Sequence, residues 1–157
     1  MEINVLIDEK FEGSLDAGWL EHLLEQILIA QAVSAKTELS LVIVGQEKIH
    51  ELNLKYLERD EPTDVLSFAM LAEPAGDAAP FILPPDGMQH LGEVIISYPQ
   101  AVIQAGEHRH TVKKEMALLI IHGVLHLVGY DHDQPEVEQE MRAREAEILG
   151  HLEGELV

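Results

Sequence analysis

The chain has no cysteine, which excludes disulfides and thiolate metal sites, so any transition metal must rest on His, Asp or Glu. That usage agrees with a cytoplasmic protein. The N-terminus lacks a basic region, and no apolar run is long enough for a bilayer span, so we expect a protein that is neither exported nor held in a membrane. Bases are scarce as well: 10 Lys and Arg stand against 29 Asp and Glu, a formal net charge of -19 at pH 7. Such a field repels nucleic acid at long range, whereas an enzyme acting on nucleic acid ordinarily presents a basic surface. The few cations fall into small groups, Lys48, Lys55 and Arg59, then Arg109, Lys113 and Lys114, and acids dominate from Asp133 onward. Lining one cleft, those groups would keep a local positive field. There is no internal repeat and no linker. A length of 157 residues with 46% hydrophobic and 25% charged positions suits a single globular domain, 1-157, with a sizeable core.

What the chain does have is a histidine frame. His122 and His126 are four residues apart, so on a helix their Cβ atoms lie roughly 5–6 Å apart on one face and can grip one ion. His132 cannot share that face. Gly129, placed after the last periodic residue, supplies the positive φ that would end the helix and fold the chain back. Read singly, any of the nine His is a core or surface histidine. Read together, His122, His126 and His132 leave a fourth tetrahedral position open, the mark of a catalytic rather than a structural zinc. The offsets match the ligand frame of the metzincin proteases, H-E-x-x-H-x-x-G-x-x-H, but the Glu that serves them as general base is Gly123 here.

Around this frame the periodicities alternate between strand and helix. Ile3 to Ile7 reads as a strand, and Leu15 to Val33 as an amphipathic helix with Trp19, Leu20, Leu23, Leu24, Ile27 and Leu28 inward. Glu38 to Val44 is the clearest strand, followed by a short helix with Ile49, Leu52 and Tyr56 inward. Pro62 closes that helix, and Val65 to Met70 opens as a strand, giving a strand-helix-strand unit expected to set its two strands parallel. Residues 72 to 90, rich in proline, read as a surface loop. Leu91 to Tyr98 is a strand, Pro99 suits the first turn of a helix to about Glu107, and Thr111 is a candidate N-cap for the helix that bears the histidines. From Met116 to Val128 that helix is apolar nearly all round, as a buried helix is. Asp133 and Glu136 beside Pro135 resemble a capping box opening a last helix with Val137, Met141, Ile148 and Leu149 inward. The fold class expected is α/β (α+β), a small mixed sheet of about four strands packed with helices.

Two blocks, Asp60-Glu61-Pro62-Thr63-Asp64-Val65-Leu66-Ser67-Phe68 and His122-Gly123-Val124-Leu125-His126-Leu127-Val128-Gly129-Tyr130-Asp131-His132, resemble the YbeY family of metal-dependent endoribonucleases, also described as ribosomal RNA maturation factors. Leu91 to Ser97 and the helix from Met141 to Leu149 fit as well, so the likeness covers about Leu39 to Leu149. It implies a zincin-like metal-hydrolase domain, zinc held by His122, His126 and His132, and cleavage of single-stranded RNA in ribosomal RNA maturation and ribosome quality control. Ribosomal particles or ribosomal proteins would be partners. The family's functional arginine precedes the proline block. In many members it directly follows the aromatic corresponding to Tyr56, where this chain has Leu57, and the role passes to Arg59.

A metal held by imidazoles can polarise a phosphoryl oxygen or lower the pKa of bound water toward about 7. Arg59 would clamp a non-bridging oxygen. Asp64 and Asp131 are the candidate general bases, and the attacking group is either water or the substrate's own 2′-hydroxyl. Two other readings stand beside this one. The ligand frame alone would serve a zincin-like metallopeptidase, and the acidic surface would serve a non-catalytic ribosome assembly factor with a structural metal.

Overall fold

The computed structural model describes residues 1–31, 33, 35–69, 89–128 and 135–152. Strand β1 (Glu2–Ile7) leads through a short 3-10 turn to helix α1 (Ala17–Ala30), strand β2 (Thr37–Val44) and helix α2 (Gln46–Leu57). Strands β3 (Val65–Ala69) and β4 (Gln89–Ser97) follow, and helices α3 (Tyr98–Glu107), α4 (Val112–Leu127) and α5 (Pro135–Leu152) complete the order. The mixed sheet of four strands, with helices against it, is the architecture expected from the alternating periodicities.

The strand order is β1-β2-β4-β3, with β1, β2 and β4 parallel and β3 antiparallel to β4. The parallel relation expected between the strands flanking α2 is therefore incorrect: β4 takes the place beside β2, and β3 closes the edge. Burial explains the exchange. Most of β4, Leu91, Val94, Ile95, Ile96 and Ser97 included, is buried on both faces, which suits an interior strand. In β3 only Leu66 is buried, which suits an edge.

Two local signals are those expected: Thr111 caps α4 through the Lys114 amide, and Pro99 lies in the first turn of α3. Two further caps are additional to those expected: Asp16 caps α1 by accepting from the Gly18 and Trp19 amides, and Ser97 caps α3. The expected loop at 72 to 90 lies outside the described residues as far as Met88, while Gln89 and His90 begin β4. Asp133 and the side chain of Val137 also lie outside, and Met141 and Ile148 are buried as expected.

On one face of the sheet, Leu39, Leu41, Ile43, Val94 and Ile96 pack against α1 and α4 in the larger core. On the other, Val44, Leu66 and Ile95 meet Ile49 of α2 in a smaller one. Each such side chain withdrawn from water contributes roughly 1.5–3 kcal/mol. One inward assignment on α2 is corrected: Tyr56 is 57% exposed, its ring meeting Phe68 edge to face on the outermost strand β3.

Helix α4 lies unusually close to the strands. A Cβ placed on Gly123 would fall 2.6 Å from Val94 Cγ1 and 3.2 Å from Ser67 Oγ, and Ser67 Oγ donates to the Gly123 carbonyl at 3.1 Å. The contact allows no side chain. Gly123→Ala should therefore lower stability by about 1–2 kcal/mol despite the better helix propensity of alanine, since overpacking typically costs ~1–3 kcal/mol and the propensity gain is ~1 kcal/mol. Urea denaturation measures this, and adding Val94→Ala should recover part of the loss attributable to the clash.

Candidate functional site

Residues four apart on α4 bring His122 and His126 together. Their rings stand edge to face with centroids 4.7 Å apart, and the two Nε2 atoms are separated by 3.2 Å. Two ligands of a tetrahedral zinc, each about 2.0–2.1 Å from the ion, stand about 3.3 Å apart. The separation of the pair is the one a shared metal ion requires. His122 Nδ1 lies 2.7 Å from Glu145 Oε1 on α5. With the Nδ1 proton given to that carboxylate, the Nε2 lone pair turns toward the other imidazole, the arrangement that orients metal-binding histidines generally. His132 and Asp131 lie outside the described residues. Glu145 escaped sequence reasoning because its distance from His122 along the chain carries no periodic signal.

These imidazoles open into a cleft of about 480 Å3 that crosses the edge strand β3 and is lined by Asn53, Arg59, Asp64 and Ser67 as well as His122 and His126. Arg59 is carried there by the end of α2. Glu58 adopts the left-handed conformation, φ 56°, its amide bonds to the Leu54 carbonyl, and the Arg59 amide returns to Asn53. Asn53, buried at 2% exposure, donates through Nδ2 to the Glu61 carbonyl at 2.8 Å and pins the segment that follows. Asp64 is held from three sides: Oδ1 accepts from the Val65 amide and the Thr63 hydroxyl, and Oδ2 from Gln104. The structure thus brings His122, His126, Arg59 and Asp64 to one cleft.

A second cluster lies at the start of α4. Arg109 has φ 57°, and this left-handed turn puts His108 and His110 on the same side of the chain, facing Glu115. The donor atoms of His108, His110 and Glu115 all lie within 4.8 Å of one another, a His-His-Glu set able to hold a cation. As they stand, His108 Nδ1 and His110 Nε2 each lie 2.7 Å from Glu115 Oε1, and Gln104 donates to Oε2 at 3.2 Å. Those spacings are hydrogen bonds, and an ion would need the group to open by about 0.5 Å. The set was missed in the sequence because its geometry depends on one left-handed residue.

Burial alone would push the Glu115 carboxyl up, but hydrogen bonds from His108, His110 and Gln104 outweigh it and hold the group below its ordinary range. The bond to Glu115, with the charge of that carboxylate, raises His108 above its ordinary 6.5. A raised histidine stabilises the fold fully below 6.5 and ceases to do so as pH climbs through its raised value; a depressed Glu stabilises above 4.5 and ceases as pH falls through its lowered value. The difference in urea midpoint between the wild type and Glu115→Gln should therefore be widest between pH 4.5 and 6.5 and should narrow on either side.

The comparisons with known proteins place the chain in a family. The sequence profile of the family described as Endoribonuclease YbeY matches residues 6–153. A protein of Dehalococcoides mccartyi described as Endoribonuclease YbeY is 50% identical over 155 residues, covering 97% of this chain and 97% of its own. One of Roseiflexus castenholzii with the same description is 40% identical over 96% of this chain and 92% of its own. Among solved structures, the solution structure of TM1509 from Thermotoga maritima matches with a TM-score of 0.58 and 26% identity, over 98% of this chain and 93% of that one. With a match that runs nearly end to end and includes both the proline block and the histidine helix, this chain belongs to the YbeY family of endoribonucleases.

Proposed function

We propose that the protein is a metal-dependent endoribonuclease that cuts single-stranded RNA and serves ribosomal RNA maturation and ribosome quality control in the cytoplasm. The observation that carries the reading is the 3.2 Å separation of His122 Nε2 and His126 Nε2 in a cleft shared with Arg59 and Asp64. In this reading His132 completes the ligand set and the ion is zinc. When bound, such an ion supplies Lewis-acid stabilisation of phosphoryl charge.

The chain's own groups do the rest. Glu145 fixes the tautomer and direction of His122. Arg59 offers a planar fork of N–H donors to the non-bridging oxygens, where charge grows as the attacking oxygen arrives. Asp64, held at Oδ1 by the Val65 amide and Thr63 and at Oδ2 by Gln104, presents a carboxylate oriented for taking the proton of the attacking hydroxyl or water on a remaining lone pair of Oδ2. Gly123 argues against a peptidase: a Glu at that position would meet Val94 at 2.6 Å before it could reach the cleft. The rival with an observation in its favour is the assembly factor, because a net charge of -19 suits basic ribosomal proteins better than RNA.

Cleavage of single-stranded and duplex RNA by the zinc-loaded protein separates these. We expect the single strand alone to be cut, Arg59→Ala to lose about 10²–10³ in rate with metal content and melting temperature unchanged, and His126→Ala to lose both metal and activity. Intact RNA, together with tight binding to ribosomal particles, would establish the assembly factor instead. Glu145→Ala should weaken zinc binding by about 10- to 100-fold, read by competition with a chromogenic chelator.

A further inference from the structure

Tyr56 is out of place for a core residue. It is 57% exposed, in a chain with few aromatics, at the end of the helix whose next residues, Leu57 and Arg59, line the histidine cleft. Its ring is nevertheless held. It meets Phe68 edge to face with centroids 5.4 Å apart, and Phe68 is tied into the small core with Leu66 and Ile95. Lys55 Nζ stands 5.2 Å from the Tyr56 centroid, and Leu54 and Leu57 extend the exposed apolar surface beside it. A solvent-facing ring on a fixed support, with a cation over it and a second cation a few residues on, has the parts of a base-stacking platform.

From this the geometry points to Tyr56 as the site where an unpaired base of the substrate stacks, with Lys55 swinging off the ring to meet the adjoining phosphate. The inference rests on the reading of the protein as an RNA-cutting enzyme and adds how it holds its substrate. The net charge of -19 gives stacking its importance: Glu58, Asp60 and Glu61 flank Arg59, so phosphate attraction is largely cancelled and the π-face must supply the affinity. Preference for single strands follows, because in a duplex the base faces are already stacked on their neighbours. The charge arrangement also sets the salt dependence. With Lys55 and Arg59 as the cations engaged, log Kd should change with log salt by no more than about 1.4, roughly 0.7 for each phosphate on a single strand.

The test uses a short fluorescein-labelled oligoribonucleotide with the full-length, zinc-loaded protein and its Tyr56→Ala and Tyr56→Trp variants. Tyr56→Ala should raise Kd and KM about tenfold or more while kcat stays within about twofold and the melting temperature falls by only a few degrees, the loss of the Phe68 ring contact. Tyr56→Trp should keep the affinity, and its emission above that of Trp19 should be quenched by the single strand and not by the same sequence in duplex. Wild-type affinity in Tyr56→Ala, an unmoved indole signal on a bound oligonucleotide, or a salt slope several times steeper would overturn the platform while leaving the nuclease standing. A wild-type protein that neither binds nor cuts RNA would overturn both. Normal RNA binding by Tyr56→Ala with lost binding to ribosomal proteins would make the patch a protein-docking surface and overturn the platform.

Discussion

The contact of Gly123 with Val94 sets how near α4 lies to the sheet, and that distance decides whether a site exists. The histidines are carried by α4, while Asp64 and Ser67 belong to β3 and the turn before it. Without a Cβ at 123 the helix settles until its backbone carbonyl reaches the Ser67 hydroxyl, and the two sets of side chains share one cleft. A helix held off by one methyl group would carry the imidazoles away from Asp64 by an amount that matters to chemistry, where displacements near 1 Å are costly. The same glycine removes the acid that a peptidase needs, so packing and the absence of one chemistry have a single cause.

A run of half-buried polar side chains ending on the buried Glu115 forms a second, continuous constraint. Gln46 donates to Gln100, Gln100 to Gln104, and Gln104 to both Asp64 and Glu115. Each amide oxygen in the middle of this run accepts while its nitrogen donates, so the orientation of one fixes the next. The run joins the start of α2, the length of α3, the head of α4 and the approach to β3. Glu115, only 2% exposed, is tolerable in that position because three donors reach its two oxygens. Asp64 receives its orientation from the same run, which links the cleft to the cluster around His108 and His110.

What could be read from the chain follows from the range of the forces involved. The cap of α4 at Thr111, the apolar girdle of that helix and the spacing of His122 and His126 are local and were visible, as was the number of strands. The place of β3 was not, because pairing depends on which strand can be buried on both faces, a comparison between β3 and β4 that no single segment contains. Tyr56 obeys the helical period that buries Ile49, yet it reaches Phe68 of the edge strand and stays 57% exposed. Glu145 and the His108, His110 and Glu115 cluster are tertiary facts, the latter hinging on the unusual φ of Arg109.

The position of Arg59 shows how an offset in sequence can vanish in space. Counted from Tyr56 the guanidinium comes late, and on a continuing helix two further residues would rotate it about 200° away. The helix does not continue. Glu58 takes the left-handed conformation and the Arg59 amide bonds back to Asn53, so the chain reverses within one residue and Arg59 lines the cleft together with His122 and His126. A long, flexible side chain absorbs what offset remains, whereas Leu57, still helical, adds an apolar wall to the same cleft. The turn at the end of α2 thereby sets which of the cleft's walls is charged and which is greasy, and Asn53, by holding the Glu61 carbonyl, keeps that turn from relaxing.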